Sequence, residues 1–324
     1  MPTLRHTLPA LLLALPLLLA SCGQKADGDT AAADTCTVQF VADTAYSHIV
    51  AQCQFGPRTP GSEAHRRCGD WIVAQFRRLG LQVEEQQAPI TVWDGKQFTC
   101  RNIIARYRPA ADSAALTPVV LAAHWDSRPW ADADPDPANH RKPVLAANDG
   151  ASGVAVMLEV ARHLADLCPR RPVTFVCFDL EDYGTDTQEN SFALGAQYWA
   201  DHLAESYEWG ILLDMVGGRD ARFCYEGLSM RQAPWLVART WAAAETAGAG
   251  DFFPRRDGAF ITDDHGPMNA AGVPTIDIIP FYNQAGIPSF GPTWHTVADT
   301  PENISTETLR AVGQTLHQLL YENN

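Results

Sequence analysis

The segment PVVLAAHWD, at residues 118–126, is the clearest indication of how this chain of 324 residues folds. Its first six residues form a continuous apolar run, which is typical of a strand buried on both faces of a parallel sheet. The polar side chains of His124 and Asp126 follow at once. Parallel sheets present their chemistry at the carboxyl ends of their strands, so the segment predicts a buried parallel strand with functional residues at its end.

Further strands and helices alternate on both sides of this segment. The predicted strands are 81–88, 98–107, 173–178, 211–213 and 273–279. The predicted helices are 63–79, 149–167, 194–203, 233–247 and 306–321, the last with Ser305 as its N-cap. The fold class is therefore α/β, a single globular α/β sandwich domain with a mixed, centrally parallel sheet flanked by helices. Substrate pockets are expected beside the long loops at 127–147, 183–193 and 281–293.

The first 35 residues are expected to target the chain rather than to join the fold. Arg5 precedes an apolar stretch at 8–20, and the Leu-Ala-Ser-Cys sequence at 19–22 resembles a bacterial lipobox. Residues 1–21 are predicted as a lipoprotein signal peptide, with Cys22 as the lipidated residue and 22–35 as a flexible tether. The alternative is an ordinary cleaved signal with an incidental cysteine. The lipoprotein interpretation implies an exported bacterial protein, in the outer membrane facing the periplasm or the cell surface.

Charge and cysteine content narrow the function classes. The formal net charge is −14, so binding to nucleic acid or to an anionic membrane surface is not expected, and a lipid anchor is the only membrane contact predicted. Eight cysteines are present without a C-x-x-C motif, which argues against a cysteine zinc site. Export permits disulfides, and Cys53 with Cys68 is the predicted pair, whereas Cys177 is expected to be a buried thiol.

Five short acidic or histidine motifs, mostly at predicted strand ends, indicate metal chemistry. They are His124-Trp125-Asp126, Asn148-Asp149-Gly150, Glu181-Asp182, Asp214 and His295. Catalytic zinc is usually held by three protein ligands with one position open, and Asp149, Asp182 and His295 supply such a set. His124 and Asp214 complete a second metal site if Asp149 bridges. Glu181 is then free to act as a proton shuttle.

Each of these residues also has an ordinary structural interpretation. In that interpretation Asp126 only orients His124, and Asp149 is a helix N-cap. The acidic pair can start a solvated loop, Asp214 can sit in a turn, and His295 can be a surface or core histidine. Their joint occurrence favours a metal site over these separate explanations.

The order of the motifs resembles that of the zinc aminopeptidase superfamily with co-catalytic metals. The resemblance covers the sequence from about Thr59 to the C-terminus: His-x-Asp, Asn-Asp-Gly-x-x-Gly, an acidic pair, Leu-Asp-Met and a final His-Thr. It implies that residues 36–324 form a zinc-dependent cyclase or aminopeptidase-like catalytic domain.

Several details resemble one branch of that superfamily, the animal-type glutaminyl cyclases, which bacteria also possess. These details are Trp294-His295-Thr296, Asp263-Asp264-His265-Gly266-Pro267, a Phe at position 290 and the acidic, Asn-containing stretch at 299–303. The chain departs from the animal enzymes in having Glu-Asp rather than Glu-Glu as its acidic pair. It also has Asp277 where they have His.

The resemblance implies a single zinc held by Asp149, Asp182 and His295, with His124 as support rather than ligand. It further implies Glu181 as general base and acid, a hydrogen-bonded acidic network with Asp214 and Asp263, and a pocket wall of Trp294 and Phe290. The implied reaction converts the N-terminal Gln of peptides or proteins to pyroglutamate with release of ammonia. Two rivals stay open: an exported aminopeptidase with two zinc ions, and a non-catalytic binding lipoprotein. The two aromatic residues also have an alternative interpretation as core.

Overall fold

The computed structural model of the chain describes residues 35–109, 116–280, 282–284 and 287–322, which fall in one compact unit. The predicted signal peptide at 1–21, Cys22 and the tether as far as residue 34 lie outside the described residues. Among the helices that are described, none has the length and apolar character needed to cross a bilayer.

A six-stranded mixed sheet forms the centre of the domain. Its strands are β1 Gln82–Thr91, β2 Gln97–Tyr107, β3 Val119–His124, β4 Val173–Phe178, β5 Gly210–Leu213 and β6 Thr275–Ile278. Their order in the sheet is β1-β2-β4-β3-β5-β6. The four strands β4, β3, β5 and β6 are parallel, while β1 and β2 form an antiparallel edge. The predicted fold class is therefore confirmed, and β3 is a buried parallel strand as predicted.

Helices cover both faces of this sheet. They are α1 Ala42–Cys53, α2 Glu63–Arg78, α3 Ala151–Arg162, α4 Leu164–Leu167, α5 Leu194–Asp201, α6 Gly227–Gln232, α7 Pro234–Thr246, α8 His265–Ala270 and α9 Thr306–Tyr321. The larger core lies between one face of the sheet and a layer containing α1, α2, α3 and α9. The opposite face packs on α5 and α8 through residues such as Trp199 and Met268. Successive residues of β3 alternate between the two cores, as both faces of a parallel sheet require.

Local sequence accounts for several element boundaries. Ser305 caps α9 as predicted, since its side chain accepts a hydrogen bond from the Thr308 amide at 3.2 Å. The predicted helix at 149–167 starts later and breaks at His163, which separates α3 from α4. The predicted loop at 281–293 contains a short hairpin of β7 Tyr282–Gln284 and β8 Ile287–Ser289.

The predicted disulfide between Cys53 and Cys68 is wrong, because both residues are free thiols. They belong to the main hydrophobic core, where a thiol packs as a small apolar side chain. Burial raises the pKa of Cys53 to about 11 and that of Cys68 to about 12, so neither is a ready thiolate. Cys177 is a buried thiol in β4, as predicted.

Candidate active site

The carboxyl ends of β3, β4 and β5 open into one pocket with a volume of about 350 Å³. Eight of the residues singled out in the sequence line it: Asp149, Glu181, Asp182, Asp214, Asp263, Phe290, Trp294 and His295. The topology explains the convergence, because the chain leaves β3 for β4 on one side and later returns to β5 on the other. Such a reversal in strand order creates a crevice above the strand ends.

Asp149, Asp182 and His295 form a compact buried group. His295 Nε2 lies 3.1 Å from Asp182 Oδ1 and 3.6 Å from Asp149 Oδ2. One potential ligand atom from each of the three residues lies within 4.8 Å of the others. The second oxygen of Asp182, Oδ2, is buried without a hydrogen-bond partner. Two carboxylates, an imidazole and an unsatisfied buried oxygen are donors that suit zinc.

A second group shares Asp149 with the first. His124 Nε2 lies 2.9 Å from Asp149 Oδ1 and 3.2 Å from Asp214 Oδ1, and all three residues are buried. Their ligand atoms also lie within 4.8 Å of one another. The geometry therefore accommodates the one-zinc and the two-zinc arrangements alike, and the supporting role of His124 stays a prediction.

Two buried aspartates hold the backbone beside the pocket residues. Asp126 accepts hydrogen bonds from the amides of Glu181 and Asp182, both at 3.2 Å, and lies 3.5 Å from His124 Nδ1. It thus supports the acidic pair as well as His124. Asp299 accepts hydrogen bonds from the Asn148 amide at 2.8 Å and the Asp149 amide at 3.1 Å. The role of Asp299 was not predicted, although it opens the acidic stretch at 299–303.

The carboxyl group of Glu181 lies among other acids. Burial raises the pKa of Glu181 well above its usual value, and the charges of Asp263 and Asp182 add to this rise while His124 opposes it. The pKa of Asp263 is raised to about 7, first by burial and then by the charge of Asp214. Glu181 therefore holds a proton more readily than an ordinary glutamate, and Asp263, Asp182 and Asp264 are the acids whose charges act on it.

Asp277 lies behind Asp263 in a buried cluster that sequence reasoning did not assemble. His265 Nδ1 lies 3.8 Å from Asp277 Oδ2, and His265 Nε2 lies 3.1 Å from Glu226 Oε2. Both carboxylate oxygens of Asp277 are buried without a hydrogen-bond partner. Burial raises the pKa of Asp277 well above its usual value, and the charges of Asp263 and Asp214 raise it further. Asp277 does not line the pocket, but it lies close to Asp263, which does.

Aromatic side chains form one wall of the pocket. Trp294 stacks on His295 with ring centroids 3.8 Å apart, and Phe290 lies 5.0 Å from Trp294. Phe192 and Phe260 also line the pocket, and Phe260 is 71% exposed at its rim. The sequence did not single out these two phenylalanines. A neighbouring cavity of about 500 Å³ between α5 and α8 shares Phe192 and the segment 261–263 with the pocket.

The long loop at 127–147 contributes two further residues that sequence reasoning missed. Arg128 is buried and contacts Asp182, while Asp132 lies 3.5 Å from His295 Nδ1. No motif marks them, because an arginine and an aspartate in an irregular loop show no periodicity that would place them near the pocket.

Comparison with known proteins identifies the family of the chain. The sequence model of peptidase family M28 matches residues 102–320. Among curated proteins, aminopeptidase YwaD of Bacillus subtilis (strain 168) is 29% identical over 273 residues, which are 82% of this chain and 54% of that protein. The chain thus spans about half the length of this relative.

Solved structures match over nearly their whole length. Bacteroides thetaiotaomicron glutaminyl cyclase bound to N-acetylhistamine has a TM-score of 0.83 and 41% identity, covering 88% of this chain and 98% of that chain. Porphyromonas gingivalis glutaminyl cyclase has a TM-score of 0.81 and 44% identity, with coverages of 87% and 98%. A Zn-dependent exopeptidase from Parabacteroides distasonis has a TM-score of 0.82 and 42% identity, with coverages of 88% and 99%.

Proposed function

Because the chain belongs to peptidase family M28, we propose that it is a zinc-dependent glutaminyl-peptide cyclotransferase. Its substrates are peptides or proteins with N-terminal Gln, and its products are the pyroglutamyl peptide and ammonia. The observation that carries the proposal is the 41% identity to a solved glutaminyl cyclase over 98% of that chain. The pocket supports the proposal because three kinds of side chain line it together. These are the candidate zinc ligands, Glu181 and the aromatic residues Phe290 and Trp294.

Asp149, Asp182 and His295 would hold the zinc, since they combine two carboxylates and an imidazole with a partnerless buried oxygen. When bound there, zinc supplies Lewis acidity that polarises the side-chain amide of the substrate. The remaining chemistry belongs to side chains of the protein.

Trp294 and Phe290 provide apolar surface for the methylene groups of the glutamine side chain, and they keep water from that side of the pocket. The cavity between α5 and α8 gives the following peptide residues room to leave the pocket. Holding the glutamine in a folded conformation brings its α-nitrogen close to its own amide carbon, which turns the reaction into a well-oriented intramolecular step.

Glu181 moves the proton. Its carboxylate accepts a proton from the α-amino group as the α-nitrogen bonds to the side-chain carbonyl carbon. The bond from that carbon to the amide nitrogen breaks, and Glu181 returns the proton to the departing ammonia. A carboxyl group with a raised pKa suits this exchange, since the raised pKa makes the ionised form of Glu181 a stronger base for the α-amino proton.

An aminopeptidase with two zinc ions is the second candidate, because His124, Asp149 and Asp214 form a second buried donor group. In that case a water molecule attacks the terminal peptide bond, again with Glu181 as base. The similarity to aminopeptidase YwaD favours this candidate, but that match covers only 54% of YwaD.

The decisive experiment incubates the purified chain with a Gln-initiated dipeptide and measures ammonia, free amino acids and zinc per chain. The cyclase predicts ammonia, no free amino acid and one zinc, with all turnover lost in a chelator. Free glutamine without ammonia, together with two zinc ions, would replace the cyclase by the aminopeptidase. Neither product would favour the non-catalytic binding protein.

We also propose, from the sequence of residues 1–35, that the chain is an exported lipoprotein anchored through Cys22. The support is the apolar stretch at 8–20 followed by Leu-Ala-Ser-Cys. Membrane fractions of cells that express the parent chain or Cys22→Ala, labelled with a fatty acid, test it. Label on the parent alone is the expected result, and equal label on both would reject the anchor.

A further inference from the structure

The side chain of Arg128 is almost fully enclosed beside the candidate zinc ligands, with 6% of its surface exposed. It makes a two-pronged contact with Asp132: Nε donates to Oδ1 at 2.7 Å, and Nη2 donates to Oδ2 at 2.6 Å. The guanidinium group also lies over the rings of Trp130 and Phe192, at 5.2 Å and 5.8 Å. The guanidinium group of Arg128 is therefore held in one orientation by the Asp132 carboxylate and by the two aromatic rings.

The remaining nitrogen of Arg128 faces the acidic pair. Nη1 lies 3.0 Å from the Asp182 carbonyl oxygen, 3.3 Å from Asp182 Oδ1 and 3.4 Å from the Gly184 carbonyl oxygen. This contact occupies one oxygen of Asp182 and leaves Oδ2 without a partner. Arginine thus fixes both the backbone and the carboxylate of a candidate ligand.

Asp132 extends the same contact to a second ligand. Its Oδ1 lies 3.5 Å from His295 Nδ1, and the neighbouring Ala133 amide donates to the His295 carbonyl oxygen at 3.2 Å. A carboxylate that accepts a hydrogen bond from Nδ1–H of a histidine fixes the ring and leaves Nε2 free for a metal. One guanidinium–carboxylate pair therefore touches two of the three candidate zinc ligands.

We propose that Arg128 and Asp132 form a positioning clamp that orients Asp182 and His295 for zinc, and so sets the zinc affinity of the site. Two of the features described above agree with this role: the arginine side chain is buried, and its contact with Asp132 is bidentate. The clamp concerns zinc retention, so it rests on zinc binding at this site but holds for cyclisation and hydrolysis alike.

The alternative is that the pair only fastens the loop at 127–147 to the domain. The two roles differ in the zinc-free protein. A merely structural pair stabilises the fold with or without metal, whereas a positioning clamp affects chiefly the difference between the zinc-bound and the zinc-free states.

The test compares Arg128→Lys and Asp132→Asn with a matched control, Arg106→Lys. Arg106 also contacts two carboxylates, Glu84 at 2.8 Å and Glu205 at 3.0 Å, but it lies in β2 away from the pocket. Zinc affinity is measured by competition with a chromogenic chelator, and thermal unfolding is followed in the zinc-free and zinc-loaded forms.

The clamp predicts that both test variants bind zinc about tenfold to a hundredfold more weakly, while the zinc-free melting temperature stays near that of the parent. Lysine at position 128 should not preserve the zinc affinity, because it keeps the positive charge but loses the planar guanidinium group that makes the bidentate contact. The control should bind zinc as the parent does.

Zinc affinities within threefold of the parent in both test variants would overturn the clamp, whatever happens to their stability. If Arg128→Lys fails to fold, Asp132→Asn decides, since it changes one atom and keeps the side-chain volume. A parent chain that binds zinc but releases no ammonia would refute the cyclase and leave the clamp intact. A parent chain that binds no zinc would refute both.

Discussion

Gly153 ties the architecture of the domain to the geometry of its site. It lies in the first turn of α3, where a Cβ atom would stand 2.3 Å from the Leu213 carbonyl oxygen and 2.7 Å from the Cβ of Ala123. Leu213 precedes Asp214, and Ala123 precedes His124. We therefore expect Gly153→Ala to disturb stability and activity together.

The magnitude follows from these distances. An ordinary contact begins near 3.4 Å, so the helix must move about 1 Å away from the strand ends. Overpacking of this kind typically costs about 1–3 kcal/mol. Alanine regains about 1 kcal/mol through its higher helix propensity, but the obstacle is a backbone carbonyl that cannot turn aside. A misplacement of about 1 Å between catalytic groups can lower turnover about a hundredfold.

The assay measures the free energy of unfolding in urea and kcat/KM for a Gln-initiated peptide. Gly250→Ala is the matched control, because its Cβ would meet nothing closer than 3.8 Å. We expect the control to match the parent in both measurements. A Gly153→Ala chain as stable as the parent, with more than half of its kcat/KM, would refute the inference that close packing of α3 aligns the site.

Three further predictions concern chemistry, pH and metal. Glu181→Gln should lower kcat about 10²- to 10⁴-fold with zinc content unchanged. The control variant Glu189→Gln changes an exposed loop residue and should have the kcat of the parent. Near-normal cyclisation by Glu181→Gln would contradict the role of Glu181 in proton transfer. Burial lowers the pKa of His317 to about 4, so the unfolded chain binds the extra proton between pH 6.5 and 4 and stability falls as the pH drops through that range. Urea unfolding at pH 7 and pH 4 should show that the parent loses about 3 kcal/mol more than His317→Gln, and equal losses would contradict this. A chelator should abolish turnover and lower the melting temperature, and added zinc should restore both; full turnover in the metal-free chain would contradict zinc dependence.

Much of the site could be predicted because parallel strands make sequence position informative. Residues 124, 149, 182 and 214 all follow buried strands or precede a helix, so a shared edge of the sheet was predictable from periodicity alone. The partners of these residues were not predictable in the same way. Arg128 and Asp132 reach the site from an irregular loop, where tertiary contacts rather than local patterns decide which way a side chain points.

The errors have physical causes as well. The thiols of Cys53 and Cys68 pack in the core, although their flanking turn and the expectation of export indicated a disulfide. The Gly- and Pro-rich segment at 281–293 was expected to be loop throughout, yet a hairpin of three-residue strands forms there, too short for alternation to reveal. The departure at position 277 became interpretable only when His265 was found beside it.

The distribution of Asp149, Asp182 and His295 along the chain has a consequence for how the protein matures. They follow β3, β4 and β8 respectively, so no chain that ends before residue 295 carries the whole set. Zinc can be captured only after almost the entire polypeptide is available and the central sheet has formed. Metal that binds only the folded state stabilises that state, and it therefore protects the chain from unfolding and from proteolysis. Retained zinc is thus a measure of completed folding, and scarcity of zinc should shorten the lifetime of the chain as well as stop its chemistry.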